Sequence, residues 1–567
     1  MSGEPPPPLG RLAGMETEYA VRYSPSPHEA TRPSNKTIFE SFVTVLRKRF
    51  TLHRGQRFYR DQWFTQNGGA LYYESLTDQD GGLIEGATPE CRGPGQLLLY
   101  QRALDQLLLE ALPEVMEELP HRGSVGLLKN CRDAQGHIYG AQENYEATLA
   151  EGLALVMYRL GLLLLLPCIV VTVVCYWFMF LAFILTVIVA LLGLFGYAFI
   201  RPDRAEALIE DPSTLLNRRL HQVLYGAELI SLAPTWIPMA VLLSAFAFRR
   251  QRQAMMGFMI SRPILSGAGT VDDTGRLWLS EKATGTRATM RTSLMPEARG
   301  IVDPTNLVKA VLHLIWFDTV PLRGLFQRRQ RLQIGMADSN MLEWAEYLKF
   351  GTTLLMLDMA EAGYLDDAPR PQHPIQALHT LNGDPTLQAK VAIQGRDPMS
   401  ALDLQRDLLE RAEAWLAETQ LHHLEAHDVV RRWRQTLDDL EADPGRLVGR
   451  LDWVTKRFLL ESCAETPDPT VLKKIDLRYH ELGSGYLAQL QKAGATEQLL
   501  RDDQIQHAMT EPPTNTRAFI RSKLMREYSS SELPVQVSWG SVKIGGFLRG
   551  KVIRLSPRQG KGSDEAL

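Results

Sequence analysis

The chain has 567 residues, 45% of them hydrophobic and 22% charged, which allows a large core in more than one structural unit and excludes a disordered chain. Its 62 Lys and Arg residues nearly balance 65 Asp and Glu residues, and the net charge of -3 gives no electrostatic reason to expect nucleic acid as a partner. The five cysteines include no C-x-x-C pair, which argues against a zinc ribbon and fits a reducing compartment.

The first part of the chain is predicted to form strands and one helix. Arg11–Arg22 and Gly69–Glu74 are rich in β-prone residues, and glycines mark the turns around them. Gln101–Glu118 carries leucines at helical spacing. The first residues lack the basic and apolar regions of a secretory signal, so we expect the N-terminal part to stay in the cytoplasm.

A long apolar run follows, from Gly161 to Ile200, and it contains no charged residue. It is about twice as long as the roughly 20 residues that one helical span requires, so we expect a hairpin of two spans joined by a tight turn. A second run, Leu229–Phe248, has the length of one span but contains Pro234 and Pro238. We therefore expect it to be re-entrant or to lie in the membrane interface.

An even number of crossings would keep both soluble halves of the chain on one side of the bilayer. The arginines that follow each run favour the cytoplasmic side. These patterns predict a transmembrane insertion over 155–252, in the inner membrane of a bacterium, with the soluble parts facing the cytoplasm.

The chain after the insertion is predicted to be mainly helical and to end in strands. We expect helices over Met341–Ala362 and Ser400–Glu418, and a solvated helical arm over Leu421–Ala442. Val535–Leu555 alternates like one or two strands, and Ser556–Leu567 is predicted to be disordered. Helices packed outside strands indicate an α+β fold.

The acidic residues of the first part form two groups. Glu16 and Glu18 alternate on one strand and share a face, where two carboxylates repel each other unless a cation lies between them. Composition alone favours the simpler interpretation of a solvated strand face. Tyr72, Glu74 and Glu85, with Glu90 beyond them, surround a glycine-rich stretch, and such oxygen ligands suit Mg²⁺. No P-loop or Rossmann motif is present.

Many short blocks carry a further signal because they occur together in a fixed order. They include RLAGMETEYAV at 11–21, NGGALYY at 67–73, EGATPEC at 85–91, LLKNCRDAQGHIYGAQENY at 127–145, SRPILSGAGTV at 261–271, IGMADSNM at 334–341, LKFGTTLLMLDMAEAG at 348–363, DLRYHELGSG at 476–485 and EPPTNTRAFIR at 511–521. In these blocks the chain resembles the family of Pup ligases and Pup deamidase/depupylases.

The resemblance implies a glutamine synthetase-like α+β fold, which is a curved sheet with flanking helices. In this chain the transmembrane insertion would interrupt that fold, and a small C-terminal domain would follow it. The corresponding division of the chain is 1–154 and 253–460 for the catalytic domain, 155–252 for the insertion, 461–555 for the C-terminal part and 556–567 for the tail.

The resemblance also implies site residues. Glu16, Tyr72 and Glu85 match the positions that hold Mg²⁺ in the family, and Thr88 and Trp539 match positions that contact ATP. Glu74 stands where the family has its catalytic aspartate, and Ala70 stands where it has an ATP-contacting arginine. The loop after Glu74 carries extra Asp78 and Asp80. Further candidates are Glu18, Glu90, Arg517 and Arg521; the two arginines could bind phosphate or a carboxylate, or equally form a structural salt bridge.

The implied activity is a Mg²⁺- and ATP-dependent ligase that joins the C-terminal side-chain carboxylate of a small Pup-like modifier to lysines of target proteins through an acyl-phosphate. Two alternatives stay open, the ATP-dependent deamidase/depupylase of the same family and a non-catalytic module that tethers the modifier at a membrane. The short interval between Ala20 and Asn67 resembles the ligases, whereas DPTL at 384–387 resembles the removing enzymes.

Overall fold

The computed structural model describes residues 8–27, 31–56, 61–75, 81–133, 136–200, 218–292, 299–312, 324–420, 423–462, 468–531, 533–546 and 550–556. The predicted tail over 556–567 and the acidic loop residues Asp78 and Asp80 lie outside these ranges, except for Ser556.

Strands and helices are numbered separately along the chain. The strands are β1 (Leu12–Pro25), β2 (His53–Arg54), β3 (Gln62–Phe64), β4 (Ala70–Ser75), β5 (Gly82–Ala87), β6 (Cys91–Arg92), β7 (Gly123–Leu128), β8 (Gln142–Thr148), β9 (Thr270–Val271), β10 (Leu277–Trp278), β11 (Thr286–Met290), β12 (Arg299–Val302), β13 (Arg329–Ile334), β14 (Lys390–Ile393), β15 (Arg396–Ser400), β16 (Val535–Ser538), β17 (Ser541–Ile544) and β18 (Lys551–Arg554). The helices are α1 (Asn35–Arg49), α2 (Pro94–Glu118), α3 (Gly152–Leu164), α4 (Leu166–Ile200), α5 (Arg218–Phe246), α6 (Arg249–Ala254), α7 (Met256–Ser261), α8 (Pro263–Ser266), α9 (Glu281–Gly285), α10 (Thr305–Leu312), α11 (Glu343–Ala362), α12 (Pro374–Asn382), α13 (Ala401–Glu418), α14 (Leu424–Ala442), α15 (Asp452–Glu461), α16 (Pro469–Tyr479), α17 (Tyr486–Lys492), α18 (Asp502–Thr510) and α19 (Arg517–Glu527).

An 11-stranded sheet organises the fold, in the order β11-β12-β13-β8-β1-β5-β4-β3-β2, with β6 and β7 also paired to β1. The β11–β12 pair is parallel, and the pairs of β1 with β5, β7 and β8 are antiparallel. The sheet is therefore mixed, and with its flanking helices it gives the predicted α+β fold. Strand β1 is 14 residues long, which lets different parts of it pair with different neighbours.

The two faces of β1 have different environments because successive side chains point to opposite faces. On one face Thr17 donates a hydrogen bond to Gln101 of α2 (3.1 Å), and the Tyr19 hydroxyl donates to Asp105 of the same helix (2.7 Å). This face belongs to the main hydrophobic core. Glu16 and Glu18 lie on the opposite face, so α2 fixes the direction in which the carboxylates point.

The C-terminal part packs on one face of the sheet, over β3, β4 and β5. The three-stranded sheet β16-β17-β18 and helix α19 share a second hydrophobic core with the main sheet. Its members include Tyr72 and Ala70 of the main sheet, and Val537 and Ile520 of the C-terminal part. The C-terminal part therefore lies against the strand that carries Tyr72 and Glu74.

The apolar run over 161–200 differs from the expected hairpin. Helix α4 continues without a break from Leu166 to Ile200, so the tight turn is absent. The physical reason is that Pro167, the only proline between Leu166 and Ile200, stands in the first turn of α4, where a helix tolerates it. At 1.5 Å per residue, α4 is about 50 Å long, which exceeds a hydrocarbon core of about 30 Å.

The second apolar run forms the returning helix. Helix α5 continues through Pro234 and Pro238, so the prolines do not interrupt the helix. The placement of this run as re-entrant or interfacial stays a prediction. A neighbouring helix and hydroxyl side chains can compensate for a helix proline, and α5 packs on α4, with the Thr172 and Thr235 hydroxyls 2.7 Å apart. The hairpin is thus formed by α4 and α5 together.

Both helices have the length and composition of membrane spans. The stretches Gly152–Gly193 and Gly226–Phe246 have mean hydropathies of 2.6 and 1.8, and only 11% and 33% of their most apolar windows are buried. Large side chains such as Phe178 (72% exposed) and Ile230 (75% exposed) are open on the outside of the hairpin.

Helix α14 corrects a second expectation. The segment was predicted to be a solvated arm because it is highly charged, yet Val429, Trp433 and Leu437 are fully buried. They lie at helical spacing and pack on α11 and α13. The charges therefore occupy only the outer face of an amphipathic helix.

A buried ion pair joins the chain before the insertion to the chain after it. Arg262, which follows α7, lies 2.9 Å from Glu143 of β8, and their side chains are only 2% and 0% exposed. The Tyr145 hydroxyl also donates to Glu143, and Arg262 donates to Thr353 of α11. This network fixes β8 against the helices that resume the soluble fold.

We predict that Arg262→Met lowers the free energy of unfolding by about 3–5 kcal/mol, because it leaves Glu143 buried without its partner. Arg431→Met is the matched control, since its ion pair with Asp428 is solvent-exposed and should contribute at most about 1 kcal/mol. Urea unfolding in detergent, followed by tryptophan fluorescence, measures both variants. Equal midpoints for the two variants would contradict this role of the pair.

Candidate active site

Two glutamates and a tyrosine form a row across three adjacent strands. The Cα of Glu18 in β1 pairs with that of Glu85 in β5, and Glu85 pairs in turn with Tyr72 in β4. Side chains directly opposite each other on paired strands are about 5 Å apart and share one face. We call Glu18, Glu85 and Tyr72 the acidic row.

Glu16 and Glu74 extend this arrangement on the same face. Glu16 lies two residues from Glu18 on β1, and Glu74 lies two residues from Tyr72 on β4, so alternation places both on the face of the acidic row. Glu74 is exposed and stands near the end of its strand, whereas Glu16 is only 19% exposed. The fold therefore brings together the predicted metal ligands and the predicted catalytic carboxylate.

The acidic row is not a solvated strand face, which corrects the interpretation that composition favoured. Glu18 and Glu85 are only 8% and 7% exposed. Burial, followed by the charge of Glu74, raises the pKa of Glu18 to about 7. The Lys282 ammonium and the Gly140 N–H, which donates to Glu18 over 2.8 Å, oppose this rise.

Two donors converge on the Tyr72 hydroxyl oxygen. The Gln62 side-chain amide donates to it over 2.9 Å, and the Trp539 indole N–H donates over 3.0 Å. Both hydrogen bonds place partially positive N–H hydrogens next to this oxygen and fix its position within the acidic row. Trp539, predicted to contact ATP, is thus also a hydrogen-bond donor to Tyr72. Gln62 is a site residue that the sequence did not predict.

A cleft of about 340 Å³ lies beside the acidic row on the same sheet face. We call it the strand cleft, and its lining residues are Leu12, Ala13, Gly14, Met15, Glu16, Ala87, Thr88, Glu90, Asn144, Tyr145, Glu146, Gln327, Arg329, Gln330, Arg331, Arg517 and Trp539. The Thr88 hydroxyl accepts a hydrogen bond from the Met15 N–H over 3.0 Å. The predicted ATP contacts Thr88 and Trp539 therefore line one cleft with the predicted metal ligand Glu16.

Glu90, Arg517 and Arg521 form an ion-pair cluster at the edge of the strand cleft. Arg521 is fully buried and lies 2.6 Å from Glu90, while Arg517 lies 2.7 Å from the same carboxylate. The two guanidinium groups hold the pKa of Glu90 at about 2 against the effect of burial. Arg521 also donates to the Gly68 and Trp539 carbonyls. The structure thus supports the salt-bridge interpretation of these arginines.

Positive charge in the strand cleft comes from residues that the sequence analysis did not select. Arg329 and Arg331 of β13 line the cleft, and Arg331 lies 3.3 Å from Glu16. The charge of Arg299 in β12 also lowers the pKa of Glu18. Ala70 of β4 supplies no cation, whereas these arginines place positive charge near the acidic residues. The alternating sequence RQRLQI over Arg329–Ile334 could have indicated a strand with both arginines on one face.

The residues of the acidic row fit a magnesium ion. Carboxylates and a phenol oxygen are hard donors of the kind that Mg²⁺ accepts, and the repulsion among Glu18, Glu85 and Glu74 favours a cation between them. Glu16, Tyr72 and Glu85, the predicted ligands, all lie on this face.

A second acidic cluster lies elsewhere and has its own cation. Ligand atoms of Glu281, Asp476 and His480 approach within 4.8 Å of one another among the residues that the structure describes. The Lys456 ammonium lies 2.6 Å from Asp476 and 3.0 Å from the His480 Nε2 atom. A lysine therefore supplies the positive charge that a metal would supply, and the cluster is a buried structural network.

The fold, the site and the matches reported below define an ATP-dependent enzyme of the class that contains Pup ligases and Pup deamidase/depupylases. Residues 11–543 match the family model described as Pup-ligase protein. The chain therefore belongs to the Pup ligase family, as the sequence blocks predicted.

The relatives in this family include both ligases and deamidase/depupylases. The chain is 24% identical to a Pup–protein ligase of Renibacterium salmoninarum over 94% of its own length and 92% of that protein. It is 31% identical to a Pup deamidase/depupylase of Mycolicibacterium smegmatis, but this match covers 53% of the chain and 60% of that protein.

Solved structures show the same fold. A complex of Pup with its ligase PafA has a TM-score of 0.65 at 20% identity, and the match covers 98% of this chain and 90% of that one. PafA in complex with ADP has a TM-score of 0.59 at 21% identity, over 94% of this chain and 93% of that one. The PafA-like fold, with its mixed sheet and flanking helices, is thereby confirmed.

We predict that Trp539→Phe weakens Mg-ADP binding about fivefold to tenfold, because it removes the N–H donor of Tyr72 but keeps a ring against Phe64 and Arg521. Trp278→Phe is the matched control, since the Trp278 indole on β10 donates to Asp272 and lies outside the strand cleft. Isothermal titration calorimetry measures the dissociation constants. Wild-type affinity in Trp539→Phe would contradict a role for this bond.

Proposed function

We propose that the chain is a membrane-anchored, Mg²⁺- and ATP-dependent ligase that joins the C-terminal side-chain carboxylate of a Pup-like modifier to lysines of target proteins. The buried acidic row next to an arginine-lined cleft carries this proposal. A row of carboxylates destabilises a fold unless it binds cations, and the arginines of the strand cleft suit a triphosphate.

Ligation of the modifier is favoured over its removal because the match covers more of a ligase than of a depupylase. The match to the Pup–protein ligase of Renibacterium salmoninarum spans 92% of that protein, whereas the match to the depupylase of Mycolicibacterium smegmatis spans 60%. The short interval between Ala20 and Asn67 points the same way. The higher identity to the depupylase, 31% against 24%, keeps removal of the modifier as the second candidate.

The proposed reaction begins with activation of a poor electrophile. A carboxylate oxygen of the modifier attacks the γ-phosphorus of ATP, the bond to the β-phosphate oxygen breaks, and ADP leaves. Glu16, Tyr72 and Glu85 would hold Mg²⁺, which neutralises the phosphate charge when bound. Arg331 and Arg329 bind the phosphates, and Thr88 and Trp539 orient the nucleotide within the strand cleft.

Glu74 then serves the second step. The lysine amine attacks the acyl carbon, an amide bond forms, and phosphate leaves with the electrons of the broken carbon–oxygen bond. The lysine ammonium must first lose a proton, and Glu74 accepts it. An exposed position near the end of β4 suits this task because a protein-borne lysine must reach it from solvent. Glutamate in place of aspartate moves the carboxylate by one methylene.

Membrane anchoring is supported by the two ends of the insertion. The Phe248 N–H donates to the Leu149 carbonyl over 2.7 Å, so the chain leaves and re-enters the catalytic domain at one point. Both soluble halves therefore lie on one side of the hairpin. The distance from Glu228 to Phe246 along α5 is about 27 Å, which is close to the thickness of a hydrocarbon core. We place the hairpin in a bacterial inner membrane and the catalytic domain in the cytoplasm.

Purified protein incubated with Mg-ATP, a Pup protein and a lysine-bearing substrate should yield a covalent adduct by intact-mass spectrometry. Glu74→Ala should slow adduct formation about 10²–10⁴-fold, because it removes the base, with little change in ATP affinity. Glu74→Asp is the control, since it keeps a carboxylate. Release of Pup from a preformed conjugate, without adduct formation, would contradict ligation and establish the second candidate.

Replacing residues 153–246 by a short Gly-Ser linker should give a protein that is soluble without detergent and still forms the adduct, because Leu149 and Phe248 are already in contact. The full-length protein should float with phospholipid vesicles in a density gradient, and the shortened protein should stay at the bottom. Flotation of both proteins, or of neither, would contradict anchoring by the hairpin.

A further inference from the structure

The base of the hairpin contains a cleft that the proposed reaction does not use. It has a volume of about 300 Å³ and lies where the insertion joins the catalytic domain. We call it the hairpin-base cleft, and its lining residues are Thr148, Leu149, Ala150, Glu151, Ala154, Ala245, Phe246, Arg249, Arg250, Gln251, Gln253 and Glu361. Gln251 donates to the Thr148 carbonyl over 2.8 Å, which fixes the two chain ends around it.

The lining has an apolar side and a polar side. Ala245 and Phe246 of α5 belong to the hairpin, and Ala154 belongs to α3, which packs beside it. The outer faces of these helices are apolar and exposed. Arg249 and Arg250 begin α6, directly after the apolar helix ends. The cleft therefore lies at the boundary between the proposed hydrocarbon core and the cytoplasmic headgroup region.

The two carboxylates in the hairpin-base cleft already have partners. Glu361 accepts from the Thr148 N–H over 2.8 Å and pairs with Arg11 and Arg329, and the charge of Arg11 lowers its pKa against the effect of burial. Glu151 pairs with Arg328. Neither carboxylate is left to neutralise the arginines of α6.

The positive charges of the arginines in and around α6 are less fully neutralised by ion pairs than the charges of these two carboxylates. The Arg249 side chain forms no hydrogen bond or ion pair with any residue that the structure describes. The Arg250 side chain donates to the Glu361 carbonyl over 3.2 Å and pairs with Asp366 at 3.3 Å on an exposed surface, so its only carboxylate partner is solvated. Arg252 donates to the Ser244 and Ala247 carbonyls, and burial together with the charge of Arg249 lowers its pKa. A concentration of positive charge therefore remains at the edge of an apolar helix.

We infer that the hairpin-base cleft binds the headgroup of an anionic phospholipid, with the phosphate on Arg249 and Arg250 and the acyl chains along the exposed apolar face of α3 and α5. This inference rests on the proposed membrane anchoring. Arginines suit a phosphodiester because the planar guanidinium donates two parallel hydrogen bonds. The adjoining apolar surface selects a lipid over a free phosphate ester.

Such a site would orient the catalytic domain on the membrane. Strand β8 runs from the strand cleft, which Asn144 and Glu146 line, to Thr148 in the hairpin-base cleft. A lipid held at one end of β8 therefore fixes the direction in which the other end presents the active site.

The test uses full-length protein in nanodiscs that contain a phosphatidylcholine background with a minor fraction of phosphatidylglycerol. Native mass spectrometry after release measures the ratio of the two lipids retained on the protein. We expect the wild type to enrich phosphatidylglycerol over the bilayer composition, and Arg249→Gln with Arg250→Gln to reduce the enrichment about fivefold for each arginine. Arg431→Gln with Arg434→Gln, on the outer face of α14, is the matched control and should leave the enrichment unchanged.

Two further outcomes separate the possible failures. Protein that inserts into nanodiscs but retains no excess phosphatidylglycerol overturns the lipid site and leaves the anchoring intact, whereas protein that does not insert overturns both. Glycerol 3-phosphate added to detergent-solubilised protein is the probe for a free phosphate ester. If it displaces bound phosphatidylglycerol at micromolar concentration, the cleft recognises the soluble ester, and the assignment to a lipid is wrong.

Discussion

The repulsion between buried carboxylates is the constraint on which the rest of the site depends. Glu18 and Glu85 are paired across β1 and β5 in a nearly closed environment, and Glu74 adds a third negative charge to the same face. Three cations lie close to these carboxylates: Lys282 and Arg299 near Glu18, and Arg331 beside Glu16. Burial, followed by the charge of Glu74, outweighs these cations and raises the pKa of Glu18 to about 7. In the proposed function, a divalent cation between the carboxylates would relieve their repulsion.

The insertion leaves this site intact because its two ends meet. Leu149 and Phe248 are hydrogen-bonded, and the buried pair of Glu143 and Arg262 fastens the soluble chain on both sides of the hairpin. A long apolar hairpin can therefore be carried by the sheet without separating the strands that form the acidic row. Under the proposed membrane anchoring, the membrane would act on the enzyme through the base of the hairpin, where arginines and an apolar surface adjoin.

The sequence predicted β1, β4 and the C-terminal strands, the shared face of Glu16 and Glu18, and the family, because strand alternation and ordered motifs are local properties. It did not predict the hydrogen bond from Gln62 to Tyr72, or the position of Arg329 and Arg331 in the strand cleft. These contacts depend on how separate strands pair in the sheet. The hairpin was misplaced because hydropathy shows where apolar residues lie and does not show where a helix turns. Helix α14 was misread because its charges hid the regular spacing of Val429, Trp433 and Leu437.

The most direct test of the account is a crystal structure of the protein with ADP and Mn²⁺ in place of Mg²⁺, in which anomalous scattering locates the metal. The account predicts a peak within coordination distance of Glu16, Tyr72 and Glu85, with the nucleotide in the strand cleft beside Thr88 and Trp539. A peak at the Glu281, Asp476 and His480 cluster, or nucleotide bound without metal at the acidic row, would contradict it.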